Sequence, residues 1–490
     1  MRERVKIKAM EAPPQTLVPY YHSPLINIDS YKASHWKGYP PGTNRVYSYV
    51  EGRGGDYDDM LFLGTQHYLV KYMRQTVTAE QIDEAESFAA GHGVPFNREG
   101  WELFLSRHGG ERWPVRIRAV PEGTIIPVKN LLLDIVNTDP DFYWMTSYLE
   151  TSLLRAIWYP TTVASRDLQI YRDLRFAMQK TCDDGEMASI VFKHNDFGSR
   201  GVSSYESSEI GGLGHLVMFQ GTDNMASVLM ARHFYGEDMA GFSIPAAEHS
   251  TMTSWGGASG EIDAMRNMVQ TFGYGSLKQP LIAVVSDSYD VMRATEEYWG
   301  GQLLDLARQS GSTIVVRPDS GDPIQTPISV IKALMRKVGF TTNSKGFRVL
   351  PPYYRVIQGD GMNETTIRSL LGMLELNKLS VSNIAIGMGG AMLQQLDRDT
   401  MKFAMKCSAI EVDGEWRDVY KDPITDRGKR SKRGRLDLLY DGKRFETVRA
   451  DDPRAAGWRD YQPMQTVYED GEITSIVTLK EIRERALSMA

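Results

Sequence analysis

Leu281–Asp290 reads LIAVVSDSYD, and Thr313–Pro323 reads TIVVRPDSGDP. Each is a short run of consecutive apolar residues that ends in a polar turn rich in Asp, Ser and Gly. Strands covered on both faces carry such unbroken runs, as in the parallel sheets of α/β proteins. The unit recurs along the chain: ASIVFKHNDFGSRG from Ala188, HLVMFQGTDN from His215 and GFSIPAAEHS from Gly241, then YRVIQGDGMN from Tyr354 and NIAIGMGGAM from Asn383. Starts lie roughly 25 to 40 residues apart, room for a strand, a loop and a returning helix. Between them, DNMASVLMARHFYG, YDVMRATEEYWGGQLLDLARQS, TPISVIKALMRKVG and ETTIRSLLGMLELNK carry apolar residues at three- and four-residue steps, the pattern of amphipathic helices.

Seven such units predict a parallel sheet, and closure into an α/β barrel over residues 186–400 is its economical form. An open doubly wound sheet is the alternative, and it too gathers function at strand C-termini. In the barrel all the polar turns share one end, so residues scattered in sequence converge in space. Residues 1–185 and 401–490 lack this rhythm. VYSYVEGR and VRIRAVPEGTIIPVKN alternate like antiparallel strands, and SYLETSLLRAIWYPTTVASRDLQIYRDLRFAMQK reads as helix. KCSAIEVDGEWRDVYKDP reads as a hairpin turning at Asp413-Gly414. These terminal segments are expected to form a second, smaller β-rich domain with helices, 1–185 supplying its first part and 401–490 completing it.

The composition fits a soluble globular chain: 42% apolar, 24% charged, net charge −6. That charge argues against wholesale binding of nucleic acid or anionic membrane, though not against a local basic pocket. Two cysteines, Cys182 and Cys407, give neither a disulfide framework nor a zinc spacing and suit a reducing cytoplasm. MRERVKIKAMEAPPQTLVPYY has no apolar run behind its basic residues, and no window reaches the roughly 18 apolar residues of a membrane span. A cytoplasmic protein is expected.

The turns carry the chemistry. In HNDFGSRGVSS, Arg200 stands between small residues, a fork of donors beside backbone amides that suits phosphate as well as it suits solvent. Phe197 is a stacking platform or core. Asp223 in QGTDN is a helix N-cap or an acceptor for a ligand N–H. In VVRPDSGDP, Arg317 can neutralise a polyphosphate, while Asp319 can hold ribose hydroxyls or a phosphate-bound magnesium; a pair bracing the turn is the competing reading. Gly359, Asp360, Gly389 and Gly390 follow apolar strands, where glycine lets a phosphate approach backbone amides. KDPITDRGKRSKRGR concentrates Lys421, Arg427, Lys429, Arg430, Lys432, Arg433 and Arg435 in one loop, either a solvated run or the entry of a polyanion. In IPAAEHST, His249 beside Glu248 is a reactive group or a hydrogen-bonder. Together these turns describe a site for a small, heavily phosphorylated sugar. No GxGxxG turn opens a βαβ unit, so a dinucleotide-dependent dehydrogenase is disfavoured.

At this point the motifs resemble those of the nicotinamide phosphoribosyltransferase family. NIDSYKASHWKGYPPGTNRVYSYVEGR, DFGSRGVSS, GTDN, IPAAEHST, VVSDSYD, RPDSGDP, VIQGDG, GMGGAMLQQLDRD, KCS and KDPITDRGKRSKRGRL follow in that family's order, from Asn27 to near the C-terminus. The resemblance implies a type II phosphoribosyltransferase fold, in a homodimer with active sites at the subunit interface. It implies nicotinamide and 5-phosphoribosyl 1-pyrophosphate as substrates, Mg2+, and ATP as a coupling co-substrate acting through a phosphohistidine at His249. Phe197 would stack on nicotinamide, with Tyr31 arriving from the other subunit, and Asp223 would accept the carboxamide N–H. Arg200, His249, Arg317 and Arg398 would contact phosphate or pyrophosphate. Asp319, Gly359, Asp360 and Gly390 would hold the ribose and its 5-phosphate, and Lys429 would face the phosphates from the partner. Asp29, Ser243, Gly389 and Lys406 stand in the same motifs as substrate-contacting positions. Asp287 and Asp319 are the candidate carboxylates near the ribosyl centre, and Glu248 is expected to orient or charge His249. The sequence singles out no direct magnesium ligand.

Asn195 and Ser199 replace a histidine and a tyrosine usual in the family, Phe242 replaces a tyrosine, and Ala283 a serine. A nicotinate phosphoribosyltransferase is the nearest alternative. Asp223 favours nicotinamide, because a carboxylate there welcomes an amide donor and repels the carboxylate of nicotinate. A non-enzymatic binding protein using the KRSKRGR loop is the alternative from another class.

Overall fold

A computed structural model describes residues 23–425, 430–457 and 463–490. In it the seven units supply seven neighbouring passes around one ring, two of them not through the apolar run expected: ASIVF ends the 3-10 helix Asp184–Phe192 and HLVM ends the helix Tyr205–Met218, and residues that follow each form the short strand. Six are parallel strands, His194–Asp196, Gly221–Thr222, Leu281–Val285, Thr313–Arg317, Tyr354–Gln358 and Ile384–Met388, and the last pairs with the first. The seventh, within Phe242–Ala246, joins the two remaining edges through single bridges, Gly221 to Phe242 and Ala246 to Ala283. Phe242 N donates to Gln220 O (2.7 Å) and Thr222 N to Phe242 O (2.9 Å); Ala283 N donates to Pro245 O (2.9 Å) and Ala247 N to Ala283 O (3.0 Å). Pro245 has no N–H for a ladder, so this pass bonds at its ends instead of forming a regular strand.

The unbroken apolar runs follow from this geometry. Ile282, Val284, Ile314 and Val316 point outward into the core under the helices, while Ala283, Val315 and Ile357 fill the ring interior with Ile244 and Ala385 packed against them. Met225–Tyr235, Gln325–Val338 and Glu364–Leu376 are helices where the periodicity predicts them. Tyr289–Ser310 departs from the single helix expected. It divides into Val291–Arg293, a π-helical stretch Ala294–Gln302 and Leu304–Ser310. The wider turn seats Trp299, whose Nε1 donates to Ser286 Oγ (3.0 Å) and whose carbonyl accepts from Tyr354 Oη (2.6 Å). Carbonyls released by a π-turn take such partners.

A second sheet is antiparallel, in the order Glu415–Asp418, Phe403–Val412, Thr43–Gly52, Leu133–Asn137, Val115–Ala119, Gln465–Glu469, Glu472–Ile473. It is built from both ends of the chain and packs on its own apolar cluster, which includes Trp101, Phe104 and Trp113. The hairpin turns at Asp413-Gly414, both with positive φ (53° and 83°), as a two-residue hairpin loop requires. Two helices cross the division at residues 185 and 400. Glu150–Thr181 buries Leu153, Ala156 and Ile157 with the second sheet, but Leu168, Leu174 and Met178 in the ring's core. The terminal helix Leu479–Met489 puts Leu479, Ile482 and Ala486 into the ring's core as well.

Candidate active site

At the C-terminal mouth of the ring lies a cavity of about 670 Å³, lined among others by Phe197, Arg200, Asp223, His249, Arg317 and Asp319. They arrive from four turns of the ring, Phe197 with Arg200 and Arg317 with Asp319 sharing one each, as the barrel reading requires. Phe197 follows the strand His194–Asp196 and lies against the ring's interior, where Gly387 and Gly359 leave room for it. A methyl group at Gly387 would come within 2.0 Å of the phenyl ring, and one at Gly359 within 3.2 Å. The Arg317 guanidinium stands 5.5 Å from the centre of the same phenyl ring, on a cation–π contact. Arg200, on the short turn Ser199–Gly201, faces the cavity with no carboxylate partner among the described residues.

Asp223 is not a helix cap. Asn224 holds that position, its side chain accepting from Ser227 N, which leaves the Asp223 carboxylate to the cavity. Ser243 Oγ donates to Asp223 Oδ1 (2.6 Å), so Ser243 orients the carboxylate and leaves its acceptor capacity pointing outward.

Four acidic or basic groups converge here, Arg317, Asp319, Asp287 and His249. Asp319 Oδ1 accepts from Arg317 Nε (3.0 Å) and Nη2 (2.6 Å). Asp287 Oδ2 accepts from the Asp319 backbone N (3.0 Å) and from Ser320 Oγ, while Asp287 Oδ1 is buried with no hydrogen-bond partner. His249 opens the helix His249–Thr253 and is half exposed. Its Nδ1 is 3.3 Å from Ser288 Oγ, and its Nε2 is 3.5 Å from Asp319 Oδ2 and 3.7 Å from Asp287 Oδ1. Glu248 does not orient this ring: its carboxylate takes the Ser250 hydroxyl instead. Adjacent residues on a starting helix diverge, and the carboxylates that meet His249 come from the next two turns of the ring. Asp287 and Asp319 offer hard oxygen donors, the Asp287 Oδ1 atom among them without a hydrogen-bond partner, and suit a divalent cation such as magnesium.

The remaining expected residues do not themselves line the cavity, although Gly359 lies under the Phe197 ring that does. Gly359, Asp360, Gly389 and Gly390 sit in the turns after the last two strands, and no neighbouring atom crowds the open side of Gly390. Arg398 is exposed on the turn Arg398–Thr400 and lies 3.5 Å from Asp399. Asp29, Tyr31 and Lys406 belong to the second sheet and its flanking turn, and none of them lines the cavity of its own chain. Asp29 Oδ2 accepts from Thr151 Oγ1 (2.8 Å), and Tyr31 is exposed. Burial lowers the Lys406 ammonium from its ordinary value; Glu150 pulls it upward, while Arg53, Lys421 and Lys32 depress it further. Lys429 and Arg427 fall outside the described residues. Elsewhere in the basic loop Lys432 pairs with Glu51, while Arg433 and Arg435 lie over Tyr420 and Trp416.

Gly387, Ser288 and Ser320 escaped the sequence reading. The signal for Gly387 was present, a glycine inside the apolar run IAIGM, where close approach of another group is the usual reason. The two serines gave none. Among the replaced positions, Asn195 Nδ2 donates to Ile386 O (3.0 Å), and Ser199 Oγ lies 2.7 Å from Ser208 Oγ at the cavity. Phe242 is half exposed beside Phe192, ring centres 6.1 Å apart.

Residues 192–471 match the nicotinate phosphoribosyltransferase (NAPRTase) family, and residues 23–117 match the nicotinamide phosphoribosyltransferase N-terminal domain. The chain is 47% identical over 469 residues to a nicotinamide phosphoribosyltransferase of Xanthomonas campestris pv. campestris (strain 8004), covering 95% of this chain and 98% of the relative. It is 28% identical to a nicotinamide phosphoribosyltransferase of Acinetobacter baylyi, covering 94% and 97%. In fold it is similar to a nicotinate-nucleotide pyrophosphorylase from Pyrococcus furiosus (TM-score 0.57, 15% identity, 97% and 98% covered). It is also similar to human nicotinic acid phosphoribosyltransferase (TM-score 0.51, 16% identity, 94% and 92% covered).

Proposed function

The chain belongs to the nicotinamide phosphoribosyltransferases, and from that premise we propose that it joins nicotinamide to 5-phosphoribosyl 1-pyrophosphate, giving nicotinamide mononucleotide and pyrophosphate in NAD salvage. The observation that carries the choice of base is Asp223, freed from capping and oriented by Ser243 toward the cavity that Phe197 also faces. A flat pyridine ring against Phe197 can donate its carboxamide N–H to that carboxylate. Nicotinate would set one carboxylate against another.

The pyridine nitrogen is already a nucleophile, so no general base is needed. The work is electrostatic: as pyrophosphate leaves, positive charge develops at the ribosyl carbon and negative charge on the departing oxygens. Asp287 and Asp319 stand to face the first, Arg200 and Arg317 the second. Magnesium, when bound, would supply Lewis-acid neutralisation of the pyrophosphate, and Asp287 and Asp319 are the residues that would hold it. Replacing Asp223 by Asn tests the base assignment. The reading expects a marked rise in the KM for nicotinamide and a smaller penalty against nicotinate; unchanged preference between the two would overturn it.

His249 is the residue suited to ATP coupling. Attack of a ring nitrogen on the terminal phosphorus forms the N–P bond and breaks the bond to the bridging oxygen, releasing ADP; later hydrolysis of N–P restores the ring. The His249→Ala enzyme should keep a basal reaction and lose its stimulation by ATP. The placement of Asp29, Tyr31 and Lys406 away from their own chain's cavity supports a homodimer in which each chain completes the other's site. A cytoplasmic location fits a chain with no described helix long and apolar enough to cross a membrane.

A further inference from the structure

Behind the Phe197 side of the ring, three ionisable side chains without solvent exposure meet: Asp167 on Glu150–Thr181, His194 on its strand, and His215 on the helix Tyr205–Met218. His215 Nδ1 is 2.7 Å from Asp167 Oδ2, and its Nε2 is 2.9 Å from the carbonyl oxygen of Gly221. A carbonyl oxygen can only accept, and a carboxyl group gives its proton to an imidazole of higher ordinary pKa. Each ring nitrogen therefore carries a hydrogen. The groups facing this ring are Asp167 from the long helix, His194 and Asp196 from the strand, and Phe219, stacked at 5.5 Å and 20°. The strand Gly221–Thr222 contributes only its carbonyl. Burial alone would lower His215, yet Asp167, Asp196 and the Gly221 carbonyl together raise it. Burial alone would raise Asp167, yet the two imidazoles bring it down to about 2.

The same three side chains are metal-ligand types, but the spacing speaks for a proton. Ligand atoms about 2.0 Å from a tetrahedral zinc stand about 3.3 Å apart, whereas Asp167 and His215 are at hydrogen-bond distance, 2.7 Å.

The contacts lead to the base-binding residues. Gly221, held by His215, lies two residues before Asp223. His194, 3.3 Å from Asp167 Oδ1, lies two residues before Asp196, whose carboxylate accepts from Gly198 N (2.7 Å) and Asn224 Nδ2 (3.0 Å). Gly198 and Asn224 are the immediate neighbours of Phe197 and Asp223. We propose that His215 is a buried imidazolium held between Asp167 and Gly221, and that this pair, with His194 beside it, is the positioning device that sets Phe197 and Asp223 for the base. The positioning half rests on the base-binding reading above; the protonation half does not.

The intact protein, labelled with 15N in its nine histidines, tests the first half. The His215 signals, identified by their loss in His215→Asn, should show both nitrogens protonated and no titration from pH 6 to 9. A neutral or titrating His215, or one equivalent of bound transition metal by elemental analysis, would overturn it. Two variants test the second half. Asn keeps a donor toward Asp167 and loses the one to Gly221, while Gln keeps a donor toward Gly221. His215→Asn should raise the KM for nicotinamide about tenfold and leave that for phosphoribosyl pyrophosphate within twofold, with His215→Gln affected less. Equal rises for both substrates, or equal effects of both variants, would reduce the device to general stability. Should nicotinate prove the better base, the function reading fails on the wild type alone, and the same KM comparison made with nicotinate decides the positioning.

Discussion

At position 387 a methyl group would meet the Phe197 ring at 2.0 Å, so the ring must shift into the cavity it lines or the strand must move. Gly387→Ala should therefore cost about 1–3 kcal/mol of stability by overpacking and should weaken nicotinamide binding more than phosphoribosyl pyrophosphate binding, measured by denaturant midpoint and by titration of each substrate. His215 gives a pH prediction whose sign is fixed by its raised pKa. A histidine that is charged when folded and has its ordinary pKa when unfolded contributes fully below about pH 6.5, and its contribution falls as pH rises toward the folded value. The stability advantage of the native chain over His215→Gln should shrink as pH rises above about 6.5 and level off once the raised folded value is passed, seen in denaturant titrations at a series of pH values. At this scale the cavity residues Phe197, Arg200, Asp223, His249, Arg317 and Asp319 were legible because motif and position coincide at strand ends. Of the partners that aim them, Ser243 was marked by its motif, whereas Ser288 and Ser320 were not, because they act through contacts made only once the ring has closed. Glu248 shows the opposite error, in which adjacency in sequence suggested a contact that the helix start turns away.

Among the elements, the runs from Leu281, Thr313, Tyr354 and Asn383 were legible because both faces of each strand are covered, whereas ASIVF and HLVM were misread as strands, since an apolar run that closes a buried helix looks the same. The irregular seventh pass was visible as a unit but not as a bridge, since Pro245 bars a regular ladder while the two edges still need joining. The π-turn at Ala294–Gln302 was hidden for a different reason. Its apolar residues keep a helical pattern, and the widening is dictated by what Trp299 must reach: Ser286 with its indole and Tyr354 with its carbonyl. Tyr354→Phe removes the donor to that carbonyl and should cost about 1 kcal/mol, read as a lowered denaturation midpoint without change in the slope of unfolding.

The whole molecule is held together by the helix Glu150–Thr181, whose two halves belong to different cores, and by a terminal helix that returns to the ring. Linear boundaries at 185 and 400 could not express this, because tertiary packing and not composition decides which core a helix joins. If sites are shared between subunits, two inactive variants should rescue each other. Tyr31→Ala lacks a group supplied to the partner's site, and Asp319→Ala lacks one in its own. After mixing and re-association, about a quarter of wild-type turnover should return, since half the dimers are mixed and one site in each is whole; no recovery would place each site within a single chain. The most direct test of the central claim is a competition. The purified protein is given equimolar nicotinamide and nicotinate with phosphoribosyl pyrophosphate and magnesium, and its products are identified by mass. Nicotinamide mononucleotide is the expected main product, matched by pyrophosphate. A predominance of nicotinate mononucleotide, or release of pyrophosphate without either nucleotide, would contradict it.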